Sequence, residues 1–165
     1  MILFETKRCS LRIFQETDRE DAAQLFVNPE VRAFLGGVRT SDTIQSILDE
    51  MLAPEDDSCN WVVREKNTQD FIGMISLDLH HEGVDQELSY QFLPEWWGQG
   101  YATEAAAVII DYALNELELP ALVAETQSAN VPSCRLLEKL GMKLERKVSR
   151  FGAEQSIYAI RPSLN

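Results

Sequence analysis

Hydrophobic and polar positions change period several times along the chain, and each change marks an element. Leu11-Arg-Ile-Phe14 alternates as a strand. From Thr17 or Asp18 the apolar positions Ala22, Ala23, Leu25 and Phe26 take helical spacing, until Asn28-Pro29 interrupts them. Val31 to Leu35 forms a short second helical piece, stopped by Gly36-Gly37. Ser41 opens a further helix with Ile44, Ile47, Leu48, Met51 and Leu52 on one side, and the acidic stretch Pro54 to Ser58 ends it. Trp61 to Lys66 and Phe71 to Leu79 read as strands around a turn at 67–70, and Glu87 to Leu93 as another. A long amphipathic helix then runs to about Leu117, with Ala106, Ile109, Ile110, Ala113, Leu114 and Leu117 as its core stripe. After Pro120 come a strand at Leu122 to Gln127, a short helix from Asn130, and a terminal hairpin of Lys143 to Val148 and Gln155 to Ile160 around Phe151-Gly152.

The order is β-α-α-β-β-β-α-β-α-β-β. Antiparallel strands followed by a βαβ unit predict an α/β (α+β) fold: one mixed, mostly antiparallel sheet of about seven strands, with helices on both faces. No repeat, linker or low-complexity segment divides the chain, so its 165 residues form one domain, 1–165.

The segment between the strand at 87–93 and the long helix changes this picture from architecture to chemistry. Gly98-Gln-Gly100 lies in a strand-to-helix turn, where unobstructed N–H groups and the positive end of the helix dipole favour an anion. A Walker loop is excluded, because Tyr101-Ala102 follows Gly100 instead of Lys-Ser/Thr, and a dinucleotide fingerprint lacks its third glycine at Thr103. A second motif, Asn130-Val-Pro-Ser-Cys-Arg-Leu-Leu-Glu-Lys-Leu-Gly-Met142, reads as a complete short helix with Asn130 as N-cap and Gly141 as C-cap.

Trp97-Gly-Gln-Gly-Tyr-Ala102 resembles the coenzyme A pyrophosphate loop of the GNAT superfamily of N-acetyltransferases, Arg/Gln-x-x-Gly-x-Gly/Ala, with Trp97 departing at the first position. The second motif resembles that superfamily's other signature. The pair is similar to the branch of Rim-type ribosomal-protein N-terminal acetyltransferases. The resemblance implies acetyl transfer from acetyl-CoA to a primary amine by direct attack in a ternary complex. It places the pyrophosphate on the backbone of Gly98, Gln99, Gly100, Tyr101, Ala102 and Thr103. It puts the pantetheine arm beside the backbone of Gln91, Phe92 and Leu93, with Asn130 orienting the cofactor. The Tyr that many members use as leaving-group acid is replaced by Leu137, and Ser133 resembles the Ser proposed to act instead; helix capping is its structural alternative. Glu87 is the preferred base over Tyr90, with a surface or structural role as its alternative, and Glu104 reads as a dipole partner.

Composition narrows the acceptor. A net charge of −12 excludes a basic nucleic-acid footprint and favours a cationic amine; the Rim-type resemblance implies a peptide or protein N-terminus, with polyamines, amino acids and amine drugs left open. A non-catalytic acyl-CoA sensor is the competing class. No apolar run spans a bilayer and no signal-peptide order opens the chain, so a cytoplasmic monomer or homodimer without membrane contact is expected. Cys9, Cys59 and Cys134 are odd in number and widely spaced, which argues against disulfides and a metal site, and Cys134 reads as packing. His80-His81 is expected in an exposed hairpin.

Overall fold

Phe71-Ile-Gly-Met-Ile75 is apolar at every position, which a strand tolerates only when both of its faces are covered. In the computed structural model, which describes residues 3–55 and 57–163, this run is the centre of an eight-stranded sheet. The strands are β1 (Leu3–Glu5), β2 (Cys9–Ile13), β3 (Cys59–Glu65), β4 (Phe71–Leu79), β5 (Gln86–Phe92), β6 (Leu122–Gln127), β7 (Lys143–Arg150) and β8 (Ala153–Ile160). Their spatial order is β1-β2-β3-β4-β5-β6-β8-β7, and every pair is antiparallel except β5 with β6.

Helices α1 (Arg19–Val27), α2 (Pro29–Arg32) and α3 (Ser41–Leu52) cover one face, and α4 (Tyr101–Asp111) and α5 (Val131–Lys139) the other. Leu25, Ile44 and Leu48 meet Val62, Phe71 and Met74 on the first face. On the second, Ala105, Ala106, Ile109 and Leu137 meet Trp61, Ile75, Leu77 and Leu88. The two sets alternate along β3 and, from Met74 onward, along β4 as the two-residue strand period requires; Phe71 shares the face of Met74, three residues on, because the pairing register shifts between Val63 and Arg64 and gives β4 one extra residue there. β7 is the outer edge and carries Lys143, Arg146, Lys147 and Arg150, charges that blunt edge-to-edge pairing.

Four details depart from the sequence expectations. The sheet has eight strands, because the three residues of β1 pair with β2 and are too few to show a period. The first helix begins one 3₁₀ turn late, after Glu16–Asp18. The second helical piece is Pro29–Arg32, shifted upstream because the Asn28 side chain caps it by accepting from the N–H groups of Glu30 and Val31. Finally, α4 widens into a π turn over Tyr112–Glu116, where Leu117 N–H reaches back to the Tyr112 carbonyl. The widened turn rotates Leu117 off the core stripe and leaves it exposed.

Candidate active site

The glycine loop enters α4 through two left-handed residues. Gly98 has φ +73° and Gly100, the helix N-cap, φ +83°. The indole N–H of Trp97 donates to the Phe92 carbonyl at 2.8 Å, and the Gln99 side-chain amide donates to the Glu95 carbonyl at 2.9 Å. Trp97 therefore closes the loop onto the end of β5, from the position where the motif ordinarily carries Arg or Gln. From Gly98 through Thr103 no backbone N–H has an acceptor among the described residues. A Cβ built on Gly98 would meet nothing within 4 Å, so the concavity in front of these donors is open. Such a cradle suits a pyrophosphate, which backbone N–H groups hold without formal positive charge.

Glu104 does more than face the helix dipole. Its carboxylate accepts from the Thr6 hydroxyl, from Arg8 N–H at 2.9 Å and from Arg8 Nε at 2.8 Å. Arg8 in turn donates to the Gln99 carbonyl at 3.0 Å, and its guanidinium lies 4.0 Å from the centre of the Tyr101 ring. The β1–β2 turn is thus latched to the loop, and one cation stands beside the cradle. Nothing in the sequence motif pointed to Arg8, because it lies ninety-one residues from its contact with Gln99.

β5 and β6 pair only at Gln86↔Leu122 and Glu87↔Val123 and then part. Their remaining lengths form a wedge that ends at the glycine loop. Backbone groups alternate sides along a strand. Leu93 N–H donates to Ile72, and the Gln91 carbonyl lies against Gly73, where an added Cβ would approach it to 2.3 Å. The backbones of Gln91 and Leu93 therefore turn toward β4, away from the wedge. Phe92 and Tyr90 turn toward it, and the Phe92 carbonyl is already taken by Trp97. Of the three residues expected beside a pantetheine arm, only Phe92 presents its backbone to the opening, and Tyr90, weighed from the sequence only as an alternative base, presents its backbone there too.

At the wedge the hydroxyls of Tyr90 and Ser133 lie 2.6 Å apart. Ser133 is not a cap: the Asn130 side chain accepts the Ser133 N–H at 3.4 Å and performs that role. Burial pushes the Tyr90 phenol up to about 12, so it stays protonated at neutral pH. Cys134 points away, its thiol nearest the carbonyls of Gln127 and Ser128.

Glu87 lies on the opposite side of β5, in register with Asp78 of β4. Burial pushes its carboxyl up to about 7; His80 opposes the rise, while Asp78 and Glu125 add to it. Asp78 is raised by burial as well. On this face, between α3 and β4–β5, opens a cleft of about 790 Å³ whose wall includes Asp78, Ser89, Gln91, Arg32, Glu50 and Glu55. The acidic stretch after α3 thus reaches the cleft through Glu55.

The expected exposed hairpin at His80-His81 is only half present. His80 is 3% exposed, because its Nε2 meets Glu125 at 2.8 Å. His81 Nε2 lies 3.4 Å from the same carboxylate, and Arg150 Nε forms an ion pair with its other oxygen at 3.0 Å, without hydrogen-bond geometry. His80, His81 and Glu125 bring their ligand atoms within 4.8 Å of one another, but the guanidinium supplies the positive charge that a metal ion would bring. The late basic residues are partly accounted for here, since Arg146 and Arg150 both bind Glu82.

Comparison with known proteins agrees with this geometry. The acetyltransferase (GNAT) domain family matches residues 8–143. The chain therefore belongs to the GNAT acetyltransferases, a family that uses acetyl-CoA, and it is an N-acetyltransferase of that family. An uncharacterized N-acetyltransferase of Bacillus subtilis, YoaA, is 28% identical over 149 residues, covering 87% of this chain and 84% of its own. The ribosomal-protein-S5-alanine acetyltransferase of Vibrio fischeri superposes with a TM-score of 0.79 at 18% identity, covering 98% of this chain and 97% of its own. Spermidine N-acetyltransferase of Vibrio cholerae, solved with CoA and spermine, gives 0.79 at 17% identity over 93% and 95%. Among the described residues no helix is long and apolar enough to cross a membrane.

Proposed function

We propose that this chain binds acetyl-CoA on the glycine loop and transfers the acetyl group to a primary amine by direct attack in a ternary complex. The observation that carries the reading is the run of unpartnered N–H groups from Gly98 through Thr103 at the head of a wedge between β5 and β6. Acetyl-CoA supplies the activated acyl group. The loop backbone, with Arg8 beside it, holds the pyrophosphate. Tyr90 and Phe92 offer backbone groups to the extended arm and the thioester carbonyl. Glu87, titrating near neutrality in a buried position, takes the proton released as the amine attacks, directly or through water. As the carbon–sulfur bond breaks, the joined hydroxyls of Ser133 and Tyr90 return a proton to the thiolate. Tyr90 thereby fills the role that Leu137 cannot.

The acceptor enters from the α3 face, where the cleft reaches β5. The neighbours named above are named for an alanine of a ribosomal protein and for spermidine, and spermidine carries primary amino groups. A peptide N-terminus and a small free amine both fit that description. The experiment is release of thiol from acetyl-CoA across a panel of peptides, polyamines and amino acids, with products identified by mass spectrometry. Turnover should occur and should fall at least tenfold in Ser133→Ala and in Tyr90→Phe, with acetyl-CoA affinity by calorimetry held within about threefold. Tight acetyl-CoA binding with no acetylated product would identify a non-catalytic acyl-CoA-binding domain instead.

A further inference from the structure

One buried charge in the acceptor cleft has no counter-ion among the described residues. Arg32, the last residue of α2, is 5% exposed. Its Nε donates to the Gly37 carbonyl at 3.0 Å, its Nη2 to the Leu35 carbonyl, and its Nη1 to Gln91 Oε1 at 3.0 Å. All three acceptors are neutral, and no carboxylate pairs with Arg32 among the described residues. Burial and the neighbouring Arg39 lower its pKa, the direction of a cation lacking an anion. A buried unpaired charge costs several kcal/mol by general experience, and a turn at 35–37 can be pinned without one. The two carbonyls fix the guanidinium plane and leave the Nη1 edge toward the cleft, against Gln91. The Gln91 amide NH₂ has no partner among the described residues, so a second donor lies beside that edge.

We propose that the cleft accepts an amine that carries a free carboxylate near its reacting nitrogen, an amino acid or a molecule of comparable length, and that Arg32 with Gln91 receives the carboxylate. The proposal rests on the acetyltransferase reading and names its acceptor class. The cleft is bipolar: Asp78 on its wall, with Glu87 as its cross-strand partner, suits the ammonium form on arrival, and Arg32 lies at the other end. Gln91 is four residues from Glu87 along β5, about 13 Å between Cα atoms at the usual strand rise. Side chains reaching into the cleft shorten that span to the scale of an amino acid or a dipeptide. Phe26, Ile47, Met51 and Met74 line the space between and favour an apolar side chain.

The test uses matched acceptors. Leucine, phenylalanine, methionine, glycine and alanine are each compared with their primary amides, by calorimetric binding to the CoA-loaded protein and by thiol release from acetyl-CoA. At least one acid should bind tenfold or more tightly than its amide, and Arg32→Gln should bring that ratio close to one. Arg32→Lys should keep part of the preference. If Arg32→Gln does not melt cooperatively, Gln91→Leu serves in its place, with a narrowed ratio expected. Equal binding of every acid and amide by the wild-type protein overturns the proposal, as does an unchanged ratio in the variants. Efficient turnover of amides alone would overturn the anchor and leave the acetyltransferase reading standing. Acid-selective binding without turnover would support the anchor and remove the enzyme reading.

Discussion

Glu87 shows how a single residue couples stability to chemistry. Its carboxyl titrates near 7 in the folded protein and near 4.5 in an unfolded chain. The folded state therefore holds the proton more tightly. The associated stability is fully present below about pH 4.5 and is lost as pH rises through 7. The difference amounts to about 3 kcal/mol at pH 8. Glu87→Gln should accordingly resist urea better than the wild type at pH 8, by about 2–3 kcal/mol, and equal it near pH 4. The same variant should lose at least tenfold in kcat/KM and flatten the limb that rises near pH 7. Urea melts at the two pH values and a pH–rate profile check both; a variant less stable at pH 8 would show that the carboxylate is well paired.

At the scale of an element, the loop that opens α4 must satisfy two demands, a left-handed backbone and an unobstructed approach. They can be separated, because Gly98 and Gly152 have nearly equal φ, +73° and +75°, and an added Cβ meets nothing within 4 Å at either. Alanine in that conformation costs about 1–2 kcal/mol wherever it occurs. Gly98→Ala and Gly152→Ala should lose similar stability, but only Gly98→Ala should weaken acetyl-CoA binding, by tenfold or more in calorimetry. Matching affinities in the two variants would remove the loop from the cofactor site. Gly100→Val is a poorer probe, since a β-branched residue at φ +83° is strained and its Cβ would lie 3.3 Å from Arg8 Nη2.

Across the whole molecule, the wedge is usable because its closed end is held. Glu125 of β6 joins His80 at the end of β4 and Arg150 of β7, and Glu82 draws Arg146 and Arg150 to the β4–β5 turn. The Glu125 side chain is only 5% exposed, so removing it leaves the buried His80 ring without its partner and unties β6 from Arg150, which keeps Glu82. Glu125→Ala should cost about 1–3 kcal/mol in urea unfolding and should also lower turnover, since Glu87 beside it loses its orientation. Unfolding that matches the wild type would make the cluster a surface feature. The net charge of −12 acts at the same scale, on encounter with the acceptor and not on the fold.

Local physics made most elements readable in the sequence. A run of apolar residues at every position announces a strand covered on both faces, and helical spacing with Asn130 and Gly141 at its ends announces α5. The glycine loop was legible because a close approach of backbone to phosphate admits few residue types. Only the tertiary structure decided which groups meet. Tyr90 and Ser133 are 43 residues apart, Arg8 and Gln99 are 91, and Arg32 and Gln91 are 59, and no period or spacing encodes such contacts. The pKa of Glu87 and the missing counter-ion of Arg32 belong to the same class, because burial is a property of the assembled sheet and helices. A chain written one residue at a time specifies where its backbone can turn and which faces avoid water; the partners across those faces are set when the layers close.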